Sequence, residues 1–297
     1  MKIKSLFLLL PVLAVLICGC AEREPEVERG VVCTTYPVWL IVRDLMQGTE
    51  NAPPFSLLVP ADTGCPHDYA MTPGELLKLS RTRSLLLLRN GGGLDDQIAT
   101  AARSVKPDLS DAPACDKCKG SHLHTGDEVC HGNHPFTSPD TLYDMIARLT
   151  AALRKFDPDN ADVYEANAEQ LAKICADLTK RGSQPGLIGK KVLVMHSTFV
   201  PLVRLLKMDL RGVIFTGHVS ELTPSALQDL IRKIKAEQIG LLVLEPQTPE
   251  KLAKLLHQET GIKILRLDPL ASGSMDVPNG YLLKNLEHNI QVLQEVQ

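Results

Sequence analysis

The sequence predicts an α/β protein of two lobes, each a four-stranded, mostly parallel sheet with flanking helices, joined by one long linking helix. Three observations lead there. Short runs rich in branched apolar residues alternate with helical patterns along the chain, which is the signature of βα units. The runs fall into two sets of four: "GVVCTTY", "FSLLV", "SLLLL" and "KPDL", then "KVLVM", "GVIF", "GLLVL" and "KILRL". Between the sets, "DNADVYEANAEQLAKICADLTKR" places Val163, Ala166, Leu171, Ile174 and Leu178 at helical spacing with no internal proline or glycine.

Taken in chain order, residues 1–19 read as a secretion signal. Lys2 and Lys4 precede the apolar run "SLFLLLPVLAVLI", which contains Pro11, is too short for a comfortable membrane span and leads into "ICGC". An ordinary leader cut near Ala21 is the plain alternative. A small residue before a cysteine resembles the end of a bacterial lipoprotein signal, in which Cys20 carries the diacylglycerol and becomes the first mature residue. The folded body then stays soluble while anchored at a membrane surface. Residues 20–29 form a charged tether, 30–157 the N-terminal lobe with a Cys/His-rich loop at 110–137, 158–182 the linking helix and 183–297 the C-terminal lobe. Helix starts are announced by Thr72-Pro73 with Glu75, by Ser138-Pro139, by Thr223-Pro224 and by Thr248-Pro249, each a capping oxygen before a first-turn proline.

Composition excludes several classes. The chain has 297 residues, 44% of them apolar, enough for two compact cores. A net charge of -3 without a basic run gives no footprint for nucleic acid. Trp39 is the only tryptophan, so no stacking platform for bases is indicated. Beyond the leader lie Cys33, Cys65, Cys115, Cys118, Cys130 and Cys175, among which spacing selects no disulfide pairing. Cys33 and Cys175 read most simply as buried apolar groups.

Ligands of open parallel sheets bind beyond the carboxyl ends of the strands. Four metal-competent side chains sit there. His67 follows the second strand in "TGCPHDY", His134 lies in the loop after the fourth, His196 directly follows "KVLVM", and Asp268 directly follows "KILRL". Any one of these histidines alone reads as a surface or hydrogen-bonded residue; four coincident strand-end positions, two from each lobe, favour a cation in a shared cleft. Three neutral imidazoles and one carboxylate make a nitrogen-rich, roughly tetrahedral shell that suits Zn2+, whereas Mn2+ would take more oxygen ligands.

Several ordered segments then carry a family resemblance: "PHDYAMTPGELLKL", "HPFTSPDTL", "VLVMHSTF", "LTPSALQDLIRKIKAEQIGLLVLEPQ" and "ETGIKILRLDPL". From about Gly30 to the C-terminus the chain resembles the metal-binding solute-binding lipoproteins of ABC importers, of the ZnuA and TroA types. The resemblance implies that His67, His134, His196 and Asp268 coordinate the metal. Histidine at the third position, where many manganese binders have glutamate, implies zinc, with Mn2+ or Fe2+ the lesser alternatives. It also implies a monomeric protein of the periplasm or cell surface that is not an enzyme and delivers zinc to a permease subunit with its ATPase. Three departures stand out. Phe136 replaces a common tryptophan, Pro66 stands where some zinc members carry an acidic residue, and in the family water can take the place of the Asp268 ligand.

Zinc-type members carry a histidine-rich loop before the second ligand, where this chain has "CDKCKGSHLHTGDEVCHGNH". Three readings of it stay open. His122, His124 and His131 make weak zinc contacts near the entrance; or Cys115, Cys118, Cys130 and His131 close a structural Cys3His site; or two of the cysteines form a disulfide. Near the cleft, Glu245 either accepts from a ligand imidazole or satisfies backbone amides, and Tyr69 packs or hydrogen-bonds beside His67. His218 and Glu221 read as solvent-exposed or capping. A zinc hydrolase is the competing class, but there is no H-E-x-x-H helix and Glu245 is the only candidate general base. An adhesin or metal buffer on the same fold is a third. Chelation by neutral imidazoles predicts affinity that falls below about pH 6, and a stiff linking helix predicts small rocking of the lobes instead of wide closure.

Overall fold

The computed structural model describes residues 30–63, 69–81, 85–89, 98, 108–111, 134–183, 185–214 and 223–296. All eight expected strands are present: β1 (Gly30–Cys33), β2 (Phe55–Leu57), β3 (Leu85–Arg89) and β4 (Asp108–Asp111) in one sheet, β5 (Lys191–Val194), β6 (Asp209–Val213), β7 (Leu241–Leu244) and β8 (Lys263–Arg266) in the other. Their orders are β2-β1-β3-β4 and β6-β5-β7-β8, and every pairing is parallel. In each sheet the chain starts at an inner strand, steps to one edge, then returns past its start. The connections leave in opposite directions beside that first strand, so a crevice opens at its carboxyl end. In the second sheet this switch point lies between β5 and β7.

The first strand ends earlier than its run suggests, whereas β3 and β4 reach one and two residues past theirs. "GVVCTTY" stops at Cys33, because Tyr36 already opens helix α1 (Tyr36–Leu45), with Pro37 in its first turn. The other helices are α2 (Pro73–Arg81), α3 (Pro139–Phe156), α4 (Ala161–Gly182), α5 (Val200–Leu205), α6 (Pro224–Glu237), α7 (Glu250–Thr260) and α8 (Tyr281–Gln294). Two of the four expected caps form. Thr72 and Glu75 make a reciprocal capping box (2.7 and 3.3 Å), and the Thr223 hydroxyl accepts from the Ala226 amide at 3.2 Å. Ser138 turns instead to the Asp140 carboxylate. Thr248 is one residue too early, since Pro249 remains in an extended conformation outside α7.

The long helix α4 follows a 3-10 turn at Pro158–Asn160. Its buried stripe is Tyr164, Ala168, Leu171, Cys175 and Leu178, so the expected stripe is corrected: Leu171 and Leu178 belong to it, while Ile174 is 45% exposed. Tyr164 fits the core because its hydroxyl donates to the buried Asp157 carboxylate at 2.5 Å. Cys33 and Cys175 are free and buried, and burial pushes both thiols up, that of Cys175 to about 12.

One apolar core runs through both lobes. Val31 and Cys33 of β1, Val192 and Val194 of β5, Leu171 and Leu178 of α4, and Leu286 and Ile290 of α8 belong to the same cluster. The alternate strand residues, Val32 and Leu193, face smaller clusters on the outer sides. Polar ties reinforce the junction between α1 and the segment 273–280. Tyr36 Oη donates to the Ser274 carbonyl (2.5 Å), the Gly273 amide to the Ala61 carbonyl (2.7 Å), and Arg43 to the carbonyls of Val277 and Pro278 (2.8 Å each). The Gly280 amide donates to Asp44 Oδ2 at 3.0 Å. Among the described residues no helix is long and apolar enough to cross a membrane.

Candidate metal site

Because β5 and β7 are adjacent and parallel, the residues that follow them emerge side by side at the switch point. His196 comes one residue after Met195 and opens a 3-10 turn at Ser197–Phe199; Glu245 follows Leu244 directly. Their side chains meet, with His196 Nδ1 3.3 Å from Glu245 Oε2. β8 lies on the other side of β7 and delivers Asp268 by way of Leu267.

Asp268 is held firmly. Its amide donates to Asn289 Oδ1 (3.2 Å), and its carbonyl accepts from Asn285 Nδ2 (2.7 Å) and Asn289 Nδ2 (2.8 Å). The carboxylate Oδ1 accepts from the Leu270 amide at 2.8 Å, closing a tight turn in which Leu270 adopts φ +53°. That left-handed conformation is unfavourable for a leucine and is sustained by burial of its side chain. Burial raises the Asp268 carboxyl above the ordinary carboxylate range; the Leu270 amide pulls it down, and the charge of Glu245 pushes it further up.

Glu245 is 4% exposed, and its Oε1 has no hydrogen-bond partner among the described residues. A buried carboxylate oxygen in that position costs free energy that a cation would recover. The charge of Glu245 also bears on Asp268, so two carboxylates oppose one another here, an opposition that a cation would relieve.

His134 enters from the N-terminal lobe. It precedes a 3-10 turn at Pro135–Thr137, and its ring stands edge-on to Phe136 with centroids 5.7 Å apart. The buried Thr137 hydroxyl donates to the Thr198 carbonyl (2.6 Å), binding the turn after His134 to the turn after His196. Phe136 and Thr137 also line one small cavity together with Asp268 and Leu270. The neighbours of His134, His196 and Asp268 are thus in mutual contact, but among the described residues no three His, Cys, Asp or Glu side chains stand close enough to form a metal-holding group. His67, the fourth expected ligand, lies outside the described residues. So do Cys20, Cys115, Cys118, His122, His124, Cys130, His131, His218 and Glu221. Tyr69 donates to the Glu75 carboxylate, and burial together with that bond pushes its hydroxyl up to about 12.

Sequence reasoning passed over Asn285, Asn289, Thr137 and Gln247. The asparagines left a trace: Asn289 is 2% exposed and interrupts the apolar stripe of α8 formed by Leu282, Leu286, Ile290 and Leu293.

Residues 31–296 match the family described as the periplasmic component A of zinc-uptake complexes, ZnuA. The zinc-binding lipoprotein AdcA of Streptococcus pneumoniae (strain ATCC BAA-255 / R6) is 25% identical over 290 residues, covering 91% of this chain and 56% of AdcA. The high-affinity zinc uptake system protein ZnuA of Bacillus subtilis (strain 168) is 24% identical over 298 residues, covering 93% of this chain and 90% of that protein. The chain thus spans about half the length of its AdcA relatives. In structure, the SBP FpvC of Pseudomonas aeruginosa in complex with Mn2+ matches with a TM-score of 0.74 at 21% identity, over 91% of this chain and all of FpvC. A Mn-bound periplasmic metal-binding protein of Candidatus Liberibacter asiaticus matches at 0.69 with 18% identity, over 91% of this chain and 99% of that one. The fold matches these neighbours over 91% of the chain and the family match runs from β1 to the C-terminal helix, so the chain belongs to the ZnuA family of zinc-uptake components.

Proposed function

We propose that this protein captures a zinc ion in the crevice between its lobes and hands it to the permease of an ABC importer. The observation that carries the reading is the set of strand ends at the switch point. There His196 and Asp268 follow β5 and β8, and His196 approaches the buried Glu245 that follows β7, whose Oε1 has no hydrogen-bond partner among the described residues. His67, His134, His196 and Asp268 are the proposed ligands, and the metal is cargo. Zinc is favoured by the nitrogen-rich ligand set and by the zinc-binding relatives; the Mn-bound structural neighbours keep manganese as the second candidate. Residues 1–19 are proposed to be removed, leaving Cys20 as the membrane anchor of a monomer outside the cytoplasmic membrane.

A family of uptake components is not a family of enzymes.

Metal analysis of protein purified without a chelating tag tests the reading. One zinc per chain is expected, retained against excess Mn2+ and lost in His196→Ala. A wild-type protein that takes up no zinc after reconstitution would end it.

A further inference from the structure

We propose that Asn285 and Asn289 are positioning residues that make Asp268 offer the metal one carboxylate oxygen instead of two, and so favour Zn2+ over ions that need more oxygen ligands. This deepens the reading of Asp268 as a ligand and rests on it.

The two asparagines stand four residues apart in α8, so they share a face of the helix. Asn289 grips both polar groups of the Asp268 backbone, accepting from its amide at 3.2 Å and donating to its carbonyl at 2.8 Å. Asn285 donates to the same carbonyl at 2.7 Å. A side-chain amide that pairs with the N–H and C=O of one residue fixes its place and its orientation together. Asn289 is itself 2% exposed, flanked by the core residues Leu286 and Ile290, so it has little water to exchange these bonds for.

Beyond the gripped backbone, the side chain is committed as well. Oδ1 accepts from the Leu270 amide at 2.8 Å, across Pro269, whose ring restricts the turn. Among the described residues no donor reaches Oδ2, the oxygen left for a cation. Recruiting Oδ1 as a second ligand draws it off the Leu270 amide and leaves that N–H without its acceptor, in a residue only 2% exposed. A loose turn could escape this cost by moving as a body. Room for that exists, because a small cavity lined by Phe136, Thr137, Leu270 and Asn289 lies against it. The grip of the asparagines, and not close packing, therefore keeps the turn in place. Zinc is satisfied by four ligands whereas Mn2+ takes more oxygens, so a carboxylate held to one oxygen penalises Mn2+ the more.

Competition titrations with Zn2+ and Mn2+ give the two affinities. Infrared spectroscopy of zinc-loaded protein, with Asp268→Asn as the blank, shows whether the carboxylate binds through one oxygen or two. The wild type is expected to bind through one. Asn289→Ala should weaken zinc binding about 10–100-fold and Mn2+ binding less, narrowing the preference for zinc about tenfold. Asn285→Ala, which loses a single bond from a partly exposed side chain, should narrow it in the same direction by less, and it serves where the buried change prevents folding. Two-oxygen binding in the wild type, or a Zn2+ to Mn2+ affinity ratio unchanged in the folded variants, overturns the proposal; a merely structural role weakens both metals alike. Unchanged zinc binding in Asp268→Asn overturns the ligand reading instead, and since both asparagines are intact in that variant the two failures are told apart.

Discussion

Asp268 occupies a place that suits binding better than stability. Without a cation its carboxylate is half-buried, faces the charge of Glu245 and, among the described residues, keeps one favourable contact, the Leu270 amide. Asparagine preserves the shape and the acceptor while removing the charge. Asp268→Asn is therefore expected to melt on the order of 2 °C higher than wild type in the presence of a chelator at pH 7, and to bind zinc more weakly. Differential scanning calorimetry with and without zinc checks both halves, and a variant that melts lower without metal would refute the first. The strand-end positions of His196 and Asp268 were legible because an apolar run in a parallel sheet marks its own end. The residues that orient them were not. Asn289 and Asn285 reach Asp268 from a helix close to twenty positions on, and Thr137 reaches Thr198 across the lobes, so only tertiary packing brings them together.

At the scale of elements, the contact between α1 and the segment 273–280 has little slack. A Cβ on Gly273 would lie 2.7 Å from the Tyr36 ring, closer than real contacts allow. Gly273→Ala should destabilise the protein by about 1–3 kcal/mol, and pairing it with Tyr36→Leu should return part of that loss in a double-mutant cycle. Strict additivity of the two changes would argue against the clash. The same junction contains Asp44, whose carboxyl is raised by burial against the opposing pull of Arg43. A raised carboxyl means the folded state keeps its proton to higher pH than the unfolded chain does. Its contribution to stability is then full below the ordinary carboxylate pKa, about 4, and declines as pH rises through the raised value. Asp44→Asn, which can still accept from Gly280, should flatten the melting profile in that window; a profile parallel to wild type there would refute the assignment. Legibility at this scale was mixed. Strand runs and the Thr72 and Thr223 caps were readable, being local chemistry. The stripe of α4 was read with the wrong members, because Val163 and Ile174 outrank Tyr164 and Cys175 in hydropathy, whereas Asp157 makes the tyrosine welcome inside.

For the whole molecule, a core continuous from β1 to α8 leaves little freedom for the lobes to separate. The Asn167 side chain ties α4 to the carbonyls of Leu45 and Gln47 (2.9 and 2.8 Å), and Arg181 near its other end pairs with Glu287 of α8 at 2.5 Å. Metal-free and zinc-loaded protein are expected to give the same radius of gyration by small-angle scattering, and calorimetry should show one unfolding transition. Marked compaction on zinc addition, or two resolved transitions, would contradict a single packed unit.

That shared interior also limits how such a protein can diversify. Exchanging residues 183–297 for the matching half of a relative would require fitting the inside of a protein, with Val192, Val194 and Leu286 meeting foreign partners, and not merely a surface. A substitution at a single strand tip avoids that refitting, whereas an exchange of halves does not.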